Sequence, residues 1–253
     1  MKRCALLLCL ILLGGPALAQ FGELGVDPLR VEVGCRPLGM GAAFTGLADD
    51  NNAIFYNPGG LAWAKGITLN FSDLDNIAAL QAYPTGTGAS FGLAIVNDKL
   101  AINGGAVDSS SSVVLLSYGT KLGFIPALYK SEAWQRVGIG LSVKSLAGET
   151  LRRTGALDRT ATGWDMDLGV LYKGTDWWNI GVTGQNILPA KALGGGEFVW
   201  DAGSSEGIPA ALKIGGSAKV VGDITSPYFI EGQELTLAGE IEFSRTRSPL
   251  LRL

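Results

Sequence analysis

The stretch GWDMDLGVLYK, residues 163–173, alternates with a period of two. One face carries Trp164, Met166, Leu168, Val170 and Tyr172. The other carries Asp165, Asp167, Gly169 and Lys173, with Leu171 as the exception. Successive side chains of a β-strand point to opposite faces, so this is a strand pattern. About ten residues of it, apolar on one side and charged on the other, is the signature of a strand in a transmembrane barrel.

The same rule recurs along the chain. Val137, Ile139, Leu141 and Val143 alternate with Gly138, Gly140, Ser142 and Lys144. Leu212, Ile214 and Val220 stand against Lys213, Gly215, Ser217 and Lys219, and Leu235, Leu237, Ile241 and Phe243 against Thr236, Glu240 and Glu242. Weaker examples lie at 67–72, 91–95 and 114–121, and segments at 77–83, 100–107 and 178–188 bring the expectation to about ten strands. With about 3.3 Å per residue and a tilt of about 40°, ten residues cover roughly 25 Å of bilayer. The expected fold is all-β, a transmembrane antiparallel β-barrel over residues 66–253.

Tyr172, Trp177 and Trp178 bracket a tight turn at Gly174-Thr175-Asp176, where an interfacial aromatic girdle would sit. Longer stretches at 147–162 and 189–208 read as surface loops, and Ser109–Ser112 as a flexible turn.

The chain opens with Lys2 and Arg3, an apolar run from Cys4 to Leu13, and Ala17-Leu18-Ala19. That is the form of a cleaved secretory signal over residues 1–19, with an apolar run too short to span a bilayer. Cys4 and Cys9 would leave with it, and the remaining Cys35 has no partner for an internal disulfide. Loss of Lys2 and Arg3 takes the basic count from 20 to 18 against 23 acidic residues, a formal charge of −5. Nucleic acid is therefore not expected as a partner. There is no histidine, which removes the Ser-His-Asp, Cys-His and His-metal constellations. No catalytic residue, metal site or cofactor is assigned.

The charges on the polar faces, Lys144, Asp165, Asp167, Lys213, Lys219, Glu240 and Glu242, are expected to face the barrel lumen and to pair across strands. Two carboxylates on one strand face, Asp165 and Asp167, do not by themselves make a cation site. Ahead of the strands, residues 36–63 read RPLGMGAAFTGLADDNNAIFYNPGGLAW. Asp49, Asp50, Asn51 and Asn52 suit a helix N-terminus leading into Ala53–Tyr56. Asn57 followed by Pro58 has the form of a second N-cap with proline in the first helical position. Residues 20–65 are expected to be an N-terminal segment associated with the lumen.

Arg36, Pro37, Gly39, Met40 and Gly41, then Asp49 and Asp50, then Asn57, Pro58 and Gly59 resemble the N-terminal signature of the PorV/PorQ group of bacterial outer-membrane proteins, within the FadL-like superfamily. The resemblance implies an outer-membrane barrel whose N-terminal segment enters or lines the lumen. It implies transport of hydrophobic compounds, or a shuttle and attachment role in type IX secretion, with lipid and hydrophobic small molecules or secretion-system proteins as partners. This chain has Gly59 where the family corner usually has alanine. Barrels of the superfamily have fourteen strands, and residues 244–253 do not read as an alternating strand with a terminal aromatic. Either the barrel closes at ten strands or the chain is incomplete at its C-terminus, and the second is the expectation. The competing expectation is a secreted soluble β-sandwich with an adhesion or surface-structural role.

Overall fold

The computed structural model describes residues 33–72, 77–82, 88–102, 107–125, 128–129, 131–153, 159–222, 224–244 and 247–253. The expected leader and residues 20–32 lie outside them. Thirteen strands form one sheet: β1 (Ile67–Ser72), β2 (Ile77–Ala82), β3 (Ala89–Ile102), β4 (Val107–Lys121), β5 (Val137–Arg153), β6 (Arg159–Lys173), β7 (Trp178–Gln185), β8 (Glu197–Trp200), β9 (Ser205–Gly207), β10 (Ala211–Gly222), β11 (Tyr228–Phe229), β12 (Leu235–Ser244) and β13 (Arg247–Arg252). Ten of these make a continuous antiparallel path, β1-β2-β3-β4-β5-β6-β7-β10-β12-β13. β8 pairs with β6 at Ala161–Gly163, beyond the reach of β7, and β9 pairs with β8. The two therefore prolong the β7–β10 hairpin past an irregular excursion at 186–196. β11 adds a short parallel bridge to the end of β10.

The path has ten strands, though not the ten that alternation marks out. Residues 100–107 are not a strand of their own, because β3 runs unbroken to Ile102 and pairs residue for residue with β4 from Val107. The tenth strand is β13, inside the stretch that does not alternate: Glu240, Ile241 and Glu242 face Arg252, Leu251 and Leu250. Nor are 147–162 a simple loop, since β5 continues to Arg153 and β6 begins at Arg159, with Leu151 opposite Arg159. Ser109–Ser112, expected as a turn, lie in the body of β4 and pair with both β3 and β5. In each case the hydrogen-bond ladder uses backbone groups alone, so a hairpin can run on where side-chain alternation has stopped.

Ten strands about 4.8 Å apart would make a flat sheet over 40 Å wide. Yet the short N-terminal segment touches the sheet from end to end. Asn51 Oδ1 accepts from Asn70 of β1 at 2.8 Å, Thr45 N–H donates to Glu240 of β12 at 3.0 Å, and Gly41 packs beside the Leu253 carbonyl just past β13. The sheet is therefore strongly curled, with residues 33–65 in its concavity.

Its two faces differ as the alternation requires. The outer face carries an unbroken apolar row, Val170–Val182–Ile214–Ile241–Leu251, directly opposed across five strands. Of these, Val182, Ile214, Ile241 and Leu251 are exposed. Leu69, Phe91, Leu116 and Leu141 extend the exposed apolar surface over β1, β3, β4 and β5, and Leu168 adds to it on β6. The inner face is buried, and Leu171, the exception to the alternation, points inward with no exposure.

Candidate functional site

The candidate site is the interface between the concave face and the segment it encloses. The segment starts with a short helix, Cys35–Gly39, and makes a tight turn in which Pro37 O accepts from Met40 N and Ala42 N. Pro37 is buried, Met40 is half-buried against the apolar cluster, and Gly39 leaves open space where a Cβ would be. Gly41, at φ 60°, adopts a left-handed conformation suited to glycine. Arg36 donates to Asp49 and to Asp50, the latter at 2.9 Å, and its guanidinium lies 5.3 Å from the centre of the Phe44 ring. One arginine thus ties the start of the segment to its middle.

The helix at Ala53–Tyr56 forms, and its cap comes from within the expected cluster Asp49-Asp50-Asn51-Asn52. Asn52 has helical backbone angles and makes no side-chain capping bond. Instead Asp50 Oδ1 accepts from Asn52 N at 2.8 Å, while the Asp50 carbonyl accepts from Ala53 N. Asp50 is thus the member of the cluster that supplies the capping carboxylate. At the second corner Asn57 caps as its pairing with Pro58 suggests, accepting from Gly59 N at 3.0 Å at the head of a 3₁₀ helix, Pro58–Ala62. Fully buried, Asn57 also donates from Nδ2 to Thr45 O at 2.8 Å and to Val170 O of β6 at 3.0 Å. One side chain therefore closes its own turn, ties it to an earlier turn and fastens both to the sheet.

Backbone meets backbone here because the inner face is lined with glycine. Gly119, Gly140 and Gly169 stand directly opposite one another on β4, β5 and β6, and Gly181 opposes Gly215 on β7 and β10. A Cβ at Gly140 would overlap the Pro58 carbonyl, and one at Gly181 the Thr45 carbonyl. Gly59 in turn packs on the backbone of Gly169 and Gly138. An alanine at position 59 would have to displace one of these strands.

Beside this lane lie the inward charges. Lys144 Nζ is 2.9 Å from Asp167 Oδ1, and Lys213 Nζ is 3.9 Å from Glu240 Oε1. All four side chains are at most 3% exposed. Arg252 of β13, a partner not anticipated, joins Glu240 at 2.8 Å and Glu242 at 3.0 Å. Among the described residues Asp165 has no lysine within ion-pair distance; its Oδ1 accepts from Met166 N and Leu188 N. Lys219 is not buried with the rest but sits at the rim, 3.4 Å from Glu234. Lys144 with Asp167, and Lys213 and Arg252 with Glu240 and Glu242, thus form buried ion pairs between neighbouring strands, while Asp165 is held by backbone N–H groups.

Two concavities complete the picture. An apolar groove of about 370 Å³ lies on the outer face between Phe91, Leu93, Leu116, Tyr118, Leu141 and Val143. A polar cavity of about 250 Å³ opens at one rim of the concave face, lined by Arg36, Asp49, Lys173, Asp176, Trp177 and Lys219 among others. No family model matches the chain, and no curated protein or solved structure is significantly similar to it.

Proposed function

We propose that the protein is a non-catalytic outer-membrane β-barrel of the PorV/FadL-like kind, exported by its leader and serving transport of hydrophobic compounds or attachment in type IX secretion. The observation that carries this reading is the inversion of polarity: a curled sheet with its apolar side chains on the exposed face and its charges sealed inside. Water penalises such an outer face, whereas hydrocarbon accepts it. A soluble sandwich would cover one apolar face with a second sheet, and the described strands all belong to one sheet whose concave side is filled by 33–65. Burial of an ion-paired, hydrogen-bonded interior also suits a barrel whose lumen is plugged.

Between transport and attachment, the filled interior favours attachment at rest, because a solute would have to displace Asn57 and its neighbours from the glycine lane. Heat-modifiable gel migration of membrane-extracted protein tests the class. A folded band that shifts on boiling is expected, and recovery in a soluble periplasmic fraction with no shift would refute the reading.

A further inference from the structure

The rim cavity of about 250 Å³ draws its wall from stretches far apart in sequence: the enclosed segment, the turn from β6 to β7, β7, β10 and the start of β12. Short bonds tie these pieces together. Ser217 Oγ donates to Gly46 O at 2.9 Å, Asn179 Nδ2 donates to Ser217 Oγ at 3.2 Å, and Lys219 N donates to Trp177 O at 2.7 Å. The wall is therefore set before any ligand arrives, which spares a ligand the cost of ordering it.

Its charges balance. Arg36, Lys173 and Lys219 bring three positive groups, and Asp49, Asp176 and Glu234 three negative ones. Arg36 is joined to Asp49 and Lys219 to Glu234, while Lys173 and Asp176 come from the two ends of one turn. A free anion entering here meets three carboxylates, and a free cation meets three basic groups. An apolar solute meets a wall in which only Leu47 and Trp177 are apolar, and would strip water from the polar groups without replacing its hydrogen bonds.

What suits such a wall is an uncharged molecule dense in groups that both donate and accept. A hydroxyl does both, giving its proton to a carboxylate while accepting from an ammonium or amide. Thr175, Asn179, Ser217 and Thr236 extend the same mixed bonding with neutral groups. Trp177, the one aromatic residue of the wall, adds a flat apolar body of the kind on which the C–H face of a sugar ring packs. Pockets for drug-sized ligands run from about 300 to 1,000 Å³, so this smaller space holds one ring rather than a chain.

We infer that the rim cavity binds a single pyranose unit, packed on Trp177, with Asp49, Asp176 and Glu234 accepting from its hydroxyls and Lys173 and Lys219 donating to them. The sugar belongs either to a soluble saccharide or to the headgroup of a glycolipid reaching the rim, and the chemistry in the cavity is the same.

The test uses the full chain in a polyoxyethylene detergent, which has no sugar headgroup of its own. Methyl glycosides of glucose, galactose, mannose and N-acetylglucosamine are titrated by calorimetry. The dioctanoylglycerol glycosides of the same sugars follow in the same micelles, with dioctanoyl phosphatidylcholine as the sugar-free control. The expected result is saturable binding that weakens by roughly tenfold or more in Trp177→Ala and in Asp176→Asn, and by under about threefold in Trp177→Phe, which keeps a ring. Binding is expected unchanged in Lys191→Gln and in the presence of inorganic phosphate, with the same heat-modifiable band in every variant. Saturation by a methyl glycoside assigns a soluble saccharide, and saturation by the lipid glycosides alone assigns a headgroup. No saturable response to any glycoside, a response equal in Trp177→Ala, Asp176→Asn and the parent, or displacement by phosphate would overturn the site. Failure here leaves the barrel reading untouched, since the heat-modifiable band is read separately from the titration.

Discussion

At the scale of single residues, Asn57 and the glycines opposite it do most to join segment to sheet. Asn57 makes three hydrogen bonds from a fully buried position. Removing its amide strands Gly59 N–H and deprives two carbonyls of a donor, and each buried polar group left unpaired costs about 1–3 kcal/mol. We expect Asn57→Ala to cost about 3 kcal/mol in all, read as a lower temperature at which the folded band converts on heating, while Asn57→Asp keeps the bond to Gly59 and loses the other two. The Asn-Pro corner was legible in the sequence because asparagine and proline each have a local reason to be there. The docking was not, because glycine has no side chain to mark a face. Gly138, Gly140, Gly169 and Gly215 can be put on the inward phase of the alternation, yet nothing in that phase says that another backbone will lie against them.

At the scale of elements, alternation located most strands and their faces correctly and misjudged their ends. β3 and β4 carry their apolar residues only over part of their length, so the hairpin at their tips looked like a separate strand. β13 was missed for the opposite reason: Pro249 and the arginines hide the pattern, and it belongs to the sheet through its ladder and through Arg252. Proline is tolerated there because nothing among the described residues pairs with the far edge of β13. Arg252 is the charge that holds Glu240 and Glu242 together. Arg252→Gln should therefore destabilise the β12–β13 pair by about 3 kcal/mol, the usual cost of breaking a buried ion pair by removing one partner. Adding Glu242→Gln should recover part of that loss, measured by the same thermal conversion of the folded band; no recovery would mean that Arg252 acts through packing alone.

At the scale of the molecule, the account rests on polarity reversed across a curled sheet. The buried charges need the segment to cover them, and the segment needs the glycine lane to lie close, so the enclosed segment and the strand sequence are one design. What remains is the medium outside. Single cysteines introduced at Leu141, Ile214 and Ile241 on a Cys35→Ala background, labelled with a polarity-sensitive fluorophore, report it directly. After reconstitution into vesicles we expect all three labels to be quenched by brominated lipid chains and protected from aqueous iodide, with a label at the exposed Lys191 behaving in the reverse way. Quenching of Leu141, Ile214 and Ile241 labels by iodide, with no effect of brominated lipid, would contradict the barrel.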